Sequence, residues 1–204
     1  MSNRPEQVAR SRAWFVDAFQ GEYLALYAHR DAREAERLVT SLRRAGHLNG
    51  RVLDLCCGGG RLLSALPLES EAVGVDLSLP LLRAARSQAP ARATIRGDMR
   101  RLPLAHASFD LAVSFFTSFG YFDTREEDAL VLAEVRRVLR PGGRFVLDFL
   151  NAAFVRASLA PEGTRRLGEV EVHERRWIDE DGPFVRKRVT PANAEGPVIE
   201  ERVR

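Results

Sequence analysis

The residues best suited to chemistry lie together in VLDLCCGGGR, Val52 to Arg61. An apolar run carrying one acid, Asp54, leads straight into paired cysteines and three consecutive glycines. A helix start offers unpaired N–H groups and a partial positive charge, and glycines let a ligand lie against that backbone. One glycine would serve a tight strand-to-helix turn, so three after an apolar strand point to a ligand. Asp76 closes the next apolar run, AVGVD, 18 residues beyond Gly58. An acid at about that distance accepts hydrogen bonds from ribose hydroxyls. The competing role for Asp76, capping the following helix, falls better to Ser78, just before LPLLRAAR. The ligand indicated therefore carries a ribose. A dinucleotide would need a small residue where Leu63 stands, at the packing of helix on strand. What remains is a smaller adenosyl ligand with a carboxylate.

These residues need a scaffold, and the rhythm of the chain supplies one. From Gly50 onward, short apolar runs at Val52–Leu55, Ala72–Val75, Ala93–Ile95, Leu111–Phe116 and Phe145–Leu150 read as strands. Helical stretches at Arg61–Leu66, Leu79–Ser87 and Arg125–Leu139 fall between most of them. Apolar strands alternating with helices predict a parallel sheet covered on both faces. LRPGGRF closes the last helix with arginine, then proline and glycine. Before Gly50, residues 6 to 45 read as helical and broken at Gly21, with Trp14, Phe15, Ala18 and Phe19 on one face. After Asn151 the period changes to two. EVEVHERRWI, FVRKRV and VIEERVR read as three antiparallel strands, the first two joined through DEDGP. The expected organisation is a helical segment over residues 1–49, a ligand-binding core over 50–151 and an antiparallel layer over 152–204.

Taken in order, these stretches resemble the class I S-adenosylmethionine-dependent methyltransferases. VLDLCCGGGR matches the first motif, an apolar run followed by D/E-x-G-x-G-x-G. Asp54 falls on the acidic position and Gly58 and Gly60 on the second and third glycines. Cys56 replaces the first glycine, which crowds the methionine end. VGVDLS resembles the second motif, with Asp76 on the ribose. GDMRRLPL resembles the third, which puts Asp98 on the adenine amino group and the Met99 amide on the ring. FDLAVSFF and LRPGGRFVLDF resemble the fourth strand and the entry to the fifth. The resemblance covers about residues 50 to 150 and implies a Rossmann-like, doubly wound, mostly parallel α/β sheet. S-adenosylmethionine would be the cofactor. It adds Leu77 and Phe115 to the cofactor-binding set. It also implies that the N-terminal segment folds over the cofactor, bringing Tyr27 close and Arg30 to its carboxylate.

The acceptor is expected at the carboxyl ends of the strands. TSFGYF, Thr117 to Phe122, follows the fourth strand there, with hydroxyls, a glycine and three aromatics. This resembles the small-molecule branch of the family; the N/D-P-P-[YFW] motif of the nucleic-acid branch is absent. Tyr121 is the candidate catalytic residue, orienting an acceptor or turning its ring to the sulfonium. Asn151, at the end of the fifth strand, is a further candidate for the pocket. His29, His47, His106 and His173 lack metal-ligand spacing, so no metal is expected.

Composition sets the remaining bounds. The 204 residues are 45% hydrophobic and 29% charged, enough for one large core. The net charge of +3 is spread along the chain, and Lys187 is the single lysine, so nucleic acid is not the expected partner. No run is long and apolar enough to span a membrane, and the N-terminus lacks a secretory apolar core. Adjacent cysteines rarely pair, and free thiols suit the cytoplasm. The family's sheet has seven strands, so a chain stopping inside VIEERVR is expected to be cut before its last elements, leaving the edge at GRFVLDFL open to a homodimer. The alternatives to small-molecule methyl transfer are a non-catalytic adenosyl-binding module and an RNA or protein methyltransferase.

Overall fold

The computed structural model describes residues 13–26, 32–167, 170–180, 182–192 and 198–204. Three helices lead in: α1 (Trp14–Ala18), α2 (Gly21–Leu26) and α3 (Ala32–Arg44). Strands and helices then alternate: β1 (Arg51–Leu55), α4 (Arg61–Ala65), β2 (Glu71–Asp76), α5 (Leu79–Gln88), β3 (Ala93–Arg96), β4 (Phe109–Ser114), α6 (Arg125–Val138) and β5 (Leu139–Leu147). The five strands form one parallel sheet in the order β3-β2-β1-β4-β5. Strand order reverses between β1 and β4, which creates a crevice at their carboxyl ends.

The central strands are apolar on both faces because helices cover both. Val52, Leu111 and Val113 join Leu62, Leu63 and Leu82 on one face. Leu53, Leu55, Phe109 and Ala112 join Val131, Val135 and Val138 of α6 on the other. Alternation along β1 therefore points Asp54 to the same face as Val52. The leucine that argued against a dinucleotide is accommodated from the strand side. A Cβ on Gly74 of β2 would lie 2.6 Å from Leu63 Cδ1 and 2.7 Å from Cys57 Sγ.

Two boundaries differ from the expectations. LRPGGRF does not trail off a helix, since α6 ends at Val138 and Leu139 already pairs with Phe109. A register shift absorbs the Pro-Gly-Gly stretch before Arg144 pairs with Leu111. The segment after Asn151 opens with a helix, α7 (Ala152–Ser158), which the reading omitted. Asn151 caps it, its Oδ1 accepting from Phe154 N at 3.1 Å, so this side chain serves the helix start rather than a pocket.

The antiparallel layer has four strands where three were expected: β6 (Glu162–Leu167), β7 (Val170–Ile178), β8 (Val185–Pro191) and β9 (Ile199–Val203), in that order. The omitted strand, EGTRRL, has too few apolar residues to show a period. It is fixed by pairing with β7 from Glu162 opposite Arg175 to Leu167 opposite Val170. The layer has its own small core of Val172 and Val189, with Ile199 and Tyr23 packed against them. It is tied to the parallel sheet through its end: Arg204 N donates to Gly120 O at 2.9 Å, Arg204 Nε lies 3.1 Å from Asp128 Oδ2, and Arg202 pairs with Asp123. Among the described residues no helix is long and apolar enough to cross a membrane.

Candidate active site

The turn after β1 is built from its glycines and from one residue that takes a glycine's place. Gly58 has φ +52 with nothing within 4 Å of where a Cβ would be, which leaves its backbone open to a ligand. Gly60 has φ +84, and a Cβ there would lie 2.9 Å from Ala85 Cα, so it lets α4 and α5 pack. Cys56, on the first-glycine position, has φ 61, a left-handed conformation that L side chains rarely adopt. Its Sγ lies 3.6 Å from Met99 Sδ.

Asp76 locks this turn to the next. Its Oδ2 accepts from Gly58 N at 2.9 Å and its Oδ1 from Ser78 N at 2.8 Å. Ser78 caps α5, accepting from Leu81 N, as its sequence position predicts. Burial raises the Asp76 pKa, against the opposing N–H groups of Ser78, Gly58 and Leu77. Asp54 is also buried, and its Oδ2 has no hydrogen-bond partner. Burial, then the neighbouring Asp76 charge, push its pKa up to about 7, while Arg61 pulls it down.

Two adjoining cavities follow from this geometry. One, about 250 Å³, is lined by Cys56, Gly58, Asp76, Leu77, Asp98 and Met99. The other, about 240 Å³, is lined by Asp54, Gly59, Arg61, Phe115 and Phe116. Both share Tyr23, Cys56, Gly58 and Ser118, so they form one groove across the ends of β1 and β2. A third cavity, about 480 Å³, lies between the loop after β4 and the antiparallel layer. Tyr23, Phe19 and Tyr121 stand between it and the first cavity, lining both.

The loop after β4 is held in an uncommon shape. Phe116 and Thr117 have φ 64 and 61, and Phe116 N donates to Asp148 Oδ2 at 3.1 Å. Tyr121 stacks on Phe19 at 5.3 Å and meets Trp14 edge-on at 5.2 Å. Trp14 Nε1 donates to the Tyr121 carbonyl at 3.0 Å. Burial, with like-charge pressure from Tyr23 and Cys56, pushes the Tyr121 phenol well above its usual pKa. This favours the neutral phenol.

The structure brings Asp54, Cys56, Gly58, Asp76, Leu77, Asp98, Met99, Phe115 and Tyr121 to this groove and places Gly60 behind it as a packing residue. Asp98 arrives already engaged. Its carboxylate accepts from Arg100 N at 2.8 Å, Nε at 3.1 Å and Nη2 at 2.6 Å, and Arg100 also reaches Glu127. Burial raises the Asp98 pKa, but these donors outweigh it and hold the carboxyl below its usual range. Tyr27 and Arg30 lie outside the described residues. Two contributors stand outside the expected site set. Tyr23 lines all three cavities. Arg61 lies 3.6 Å over the Phe116 ring and pairs with Glu34 at 2.8 Å. Its place directly after the glycines was the available signal.

Residues 52–143 match a family model described as a methyltransferase domain. These matches support a class I S-adenosylmethionine-dependent methyltransferase domain over that segment. It is similar to the dTDP-3-amino-3,4,6-trideoxy-alpha-D-glucopyranose N,N-dimethyltransferase of Streptomyces venezuelae, 33% identical over 118 residues that cover 57% of this chain and 49% of that protein. It is also similar to the ubiquinone/menaquinone biosynthesis C-methyltransferase UbiE of Dinoroseobacter shibae, 44% identical over 111 residues, 48% of this chain and 42% of that protein. Among solved structures, Streptomyces venezuelae DesVI aligns with a TM-score of 0.65 at 27% identity, over 88% of this chain and 79% of that one. The chain spans about half the length of the curated relatives it matches.

The residues of the groove fit S-adenosylmethionine. The orphaned Asp54 Oδ2 suits a ligand ammonium, the open face at Gly58 suits a close approach, and Asp76 closes the far side of that turn. The apolar flanks from Leu77 and Met99 suit a flat ring.

Proposed function

We propose that this protein transfers the methyl group of S-adenosylmethionine to a small-molecule acceptor bound beneath its antiparallel layer. The observation that carries this reading is the meeting of two cavities at the strand-order switch, one beside the glycine turn and Asp76, the other beside Tyr121. In it, Asp76 holds the ribose, Leu77 and Met99 flank the adenine, and Asp98 receives the adenine amino group once it shares its Arg100 contact. Asp54 faces the ammonium, Arg61 serves the carboxylate, and Cys56 and Phe115 line the methionine end. Arg30 and Tyr27 keep the roles the resemblance gives them.

When bound, S-adenosylmethionine would supply an electrophilic methyl carbon to the acceptor's lone pair, with the carbon–sulfur electrons left on sulfur. The chain's part is alignment and exclusion of water. Phe19 and Tyr121, which line both cavities, flank the junction of donor and acceptor, and Asp148 fixes the Phe116 backbone beside it. Tyr121 orients the acceptor without removing its proton, which leaves to solvent. Residues 50–151 bind the cofactor, 1–49 cover it and 152–204 cap the acceptor. The free thiols Cys56 and Cys57 suit a cytoplasmic setting, and the acceptor is not nucleic acid. The half-buried Phe145, Val146 and Leu147 on edge strand β5 support a homodimer through that edge. Calorimetry with S-adenosylmethionine and S-adenosylhomocysteine, followed by an acceptor screen detecting S-adenosylhomocysteine, tests the reading. Failure to bind either cofactor form overturns it.

A further inference from the structure

The segment that leaves β4 has no helix or strand to fix its shape before α6 begins. Phe116, Thr117 and Gly120 all have positive φ, at 64, 61 and 84. Its ends are tied locally, where Ser118 Oγ donates to Phe115 O at 3.0 Å and Thr124 caps α6. Its middle is held from outside. Gly120 O accepts from Arg204 N at 2.9 Å, and Tyr121 O accepts from Trp14 Nε1 at 3.0 Å. Phe122 O and Asp123 O both accept from Arg204 Nη2, at 3.2 and 2.9 Å. Four consecutive carbonyls, those of residues 120–123, are thus bonded to donors distant in sequence. One donor belongs to α1 and the others to the residue that follows β9.

The chemistry of arginine suits this task. A guanidinium carries donors in a fixed planar fork, so one group can engage two targets at once. Nη2 takes the two carbonyls, while Nε lies 3.1 Å from Oδ2 of Asp128, a buried acid of α6. Cζ stands 5.0 Å from the centre of the Phe184 ring, which supports the guanidinium from its face. The backbones approach closely enough to need the glycine: a Cβ on Gly120 would lie 3.3 Å from Arg204 N, at a φ that side chains rarely adopt. Asp123 is exposed and its carbonyl could bond to water, so satisfying a polar group does not alone call for the arginine. What these bonds add is a fixed place for Tyr121, in the middle of the clamped segment, which lines both the groove and the cavity beneath the antiparallel layer.

We propose that Arg204 is a positioning residue of the acceptor site. Together with Trp14 it fixes residues 120–123 and thereby the place of Tyr121 where donor and acceptor meet. The antiparallel layer then does two things: it covers the cavity and, through Arg204, aims the tyrosine. This rests on the methyl-transfer reading, which makes Tyr121 an acceptor contact.

The test reads the Trp14 indole N–H by NMR in the full chain carrying isotope-labelled tryptophan. The chain has two tryptophans, and Trp177→Phe assigns the Trp14 signal. Arg204→Met should release the segment, so the Trp14 indole N–H should exchange with solvent about tenfold or more faster, as loss of bonds from a charged donor implies. Arg204→Lys keeps the charge but not the fork and should fall between parent and Arg204→Met; if Arg204→Met does not fold, the lysine variant decides by the same signal. Calorimetry should give unchanged S-adenosylhomocysteine affinity in both variants. With an acceptor from the screen, Arg204→Met should lower kcat/KM about tenfold, and Arg204→Lys should recover part of it. Indole exchange at the parent's rate in the variant, faster exchange with undiminished turnover, or an equal loss of S-adenosylhomocysteine affinity overturns the proposal. Lack of S-adenosylhomocysteine binding by the unaltered chain would instead overturn the methyl-transfer reading, and the indole signal would still report on the clamp.

Discussion

Replacing Asp54 with asparagine separates what this acid does for the fold from what it does for the ligand. The carboxyl is buried, near Asp76, with only Arg61 opposing, and its pKa rises from 3.8 to about 7. An acid whose folded pKa exceeds its unfolded value weakens the fold as it ionises. Its contribution is fully present below the unfolded value and is lost as pH rises through about 7. At about 1.4 kcal/mol per pH unit across that gap, the loss reaches about 4 kcal/mol. Asparagine does not ionise. Ligand-free Asp54→Asn should therefore be more stable than the parent at about pH 8, and the advantage should shrink towards about pH 4. Guanidinium unfolding across that range measures it. A ligand ammonium favours the ionised carboxylate, so the parent's affinity for S-adenosylhomocysteine should fall below about pH 7, by up to about tenfold per unit. The variant should bind about 1.5–3 kcal/mol more weakly near neutral pH, with a flat profile. A variant no more stable at alkaline pH refutes the buried-charge argument. A parent whose affinity does not change through the acid range refutes Asp54 as the ammonium's partner.

Asp76→Ala removes the acceptor for Gly58 N and Ser78 N as well as for the ribose, and should cost about 1.5–3 kcal/mol of S-adenosylhomocysteine affinity by calorimetry; undiminished affinity would sink the ribose role. Tyr121→Phe keeps the stack on Phe19 and should hold kcat within about threefold, whereas Tyr121→Ala should lower turnover more than cofactor affinity; equal losses in both count against the acceptor-wall role. Gly74→Ala puts a methyl 2.6 Å from Leu63 Cδ1 and should destabilise by about 1–3 kcal/mol, with Leu63→Ala in the same chain restoring part of it in a denaturant double-mutant cycle. Light scattering on the 204-residue chain should report a dimer, and a monodisperse monomer at every concentration would remove the β5 edge as an interface.

What was legible in the sequence was what depends on local pattern. The five apolar runs of the core showed in their own composition, and each supplies a strand of one sheet, although β3 and β5 at its edges are not buried on both faces. Ser78 as cap and Gly58 as the open backbone position followed from chemistry at fixed places. What was not legible depends on contacts distant in sequence. EGTRRL becomes a strand because β7 supplies its partners, and nothing within it announces that. Asn151 has the residue type of both a pocket ligand and a helix cap, and only the chain's path selects the cap. Asp98 was read as a free acceptor, but Arg100 two residues on folds back to occupy it. Tyr23 stood outside the expected site set, yet its position beneath the antiparallel layer makes it a shared lining of the three cavities described.

Those contacts also explain where the chain tolerates strain. Cys56, Phe116 and Thr117 all have φ near +60°, although none is glycine, and each such residue costs roughly 1 kcal/mol or more. They are the residues that leave the carboxyl ends of β1 and β4, the two strands between which the sheet order reverses. Both turns are anchored to strands or their continuations: Cys57 N donates to Val75 O at 3.0 Å, and Phe116 N donates to Asp148, which itself donates to Ser114 O at 3.0 Å. The strain therefore rests on buried strands that are stable enough to hold it. Its effect is to turn both backbones sharply away from the sheet, opening the crevice in which the groove and the cavity beneath the antiparallel layer meet. A glycine at Cys56 would adopt the same path without strain but would lose the sulfur that packs on Met99, so the departure from the glycine motif exchanges backbone ease for a filled wall beside the groove.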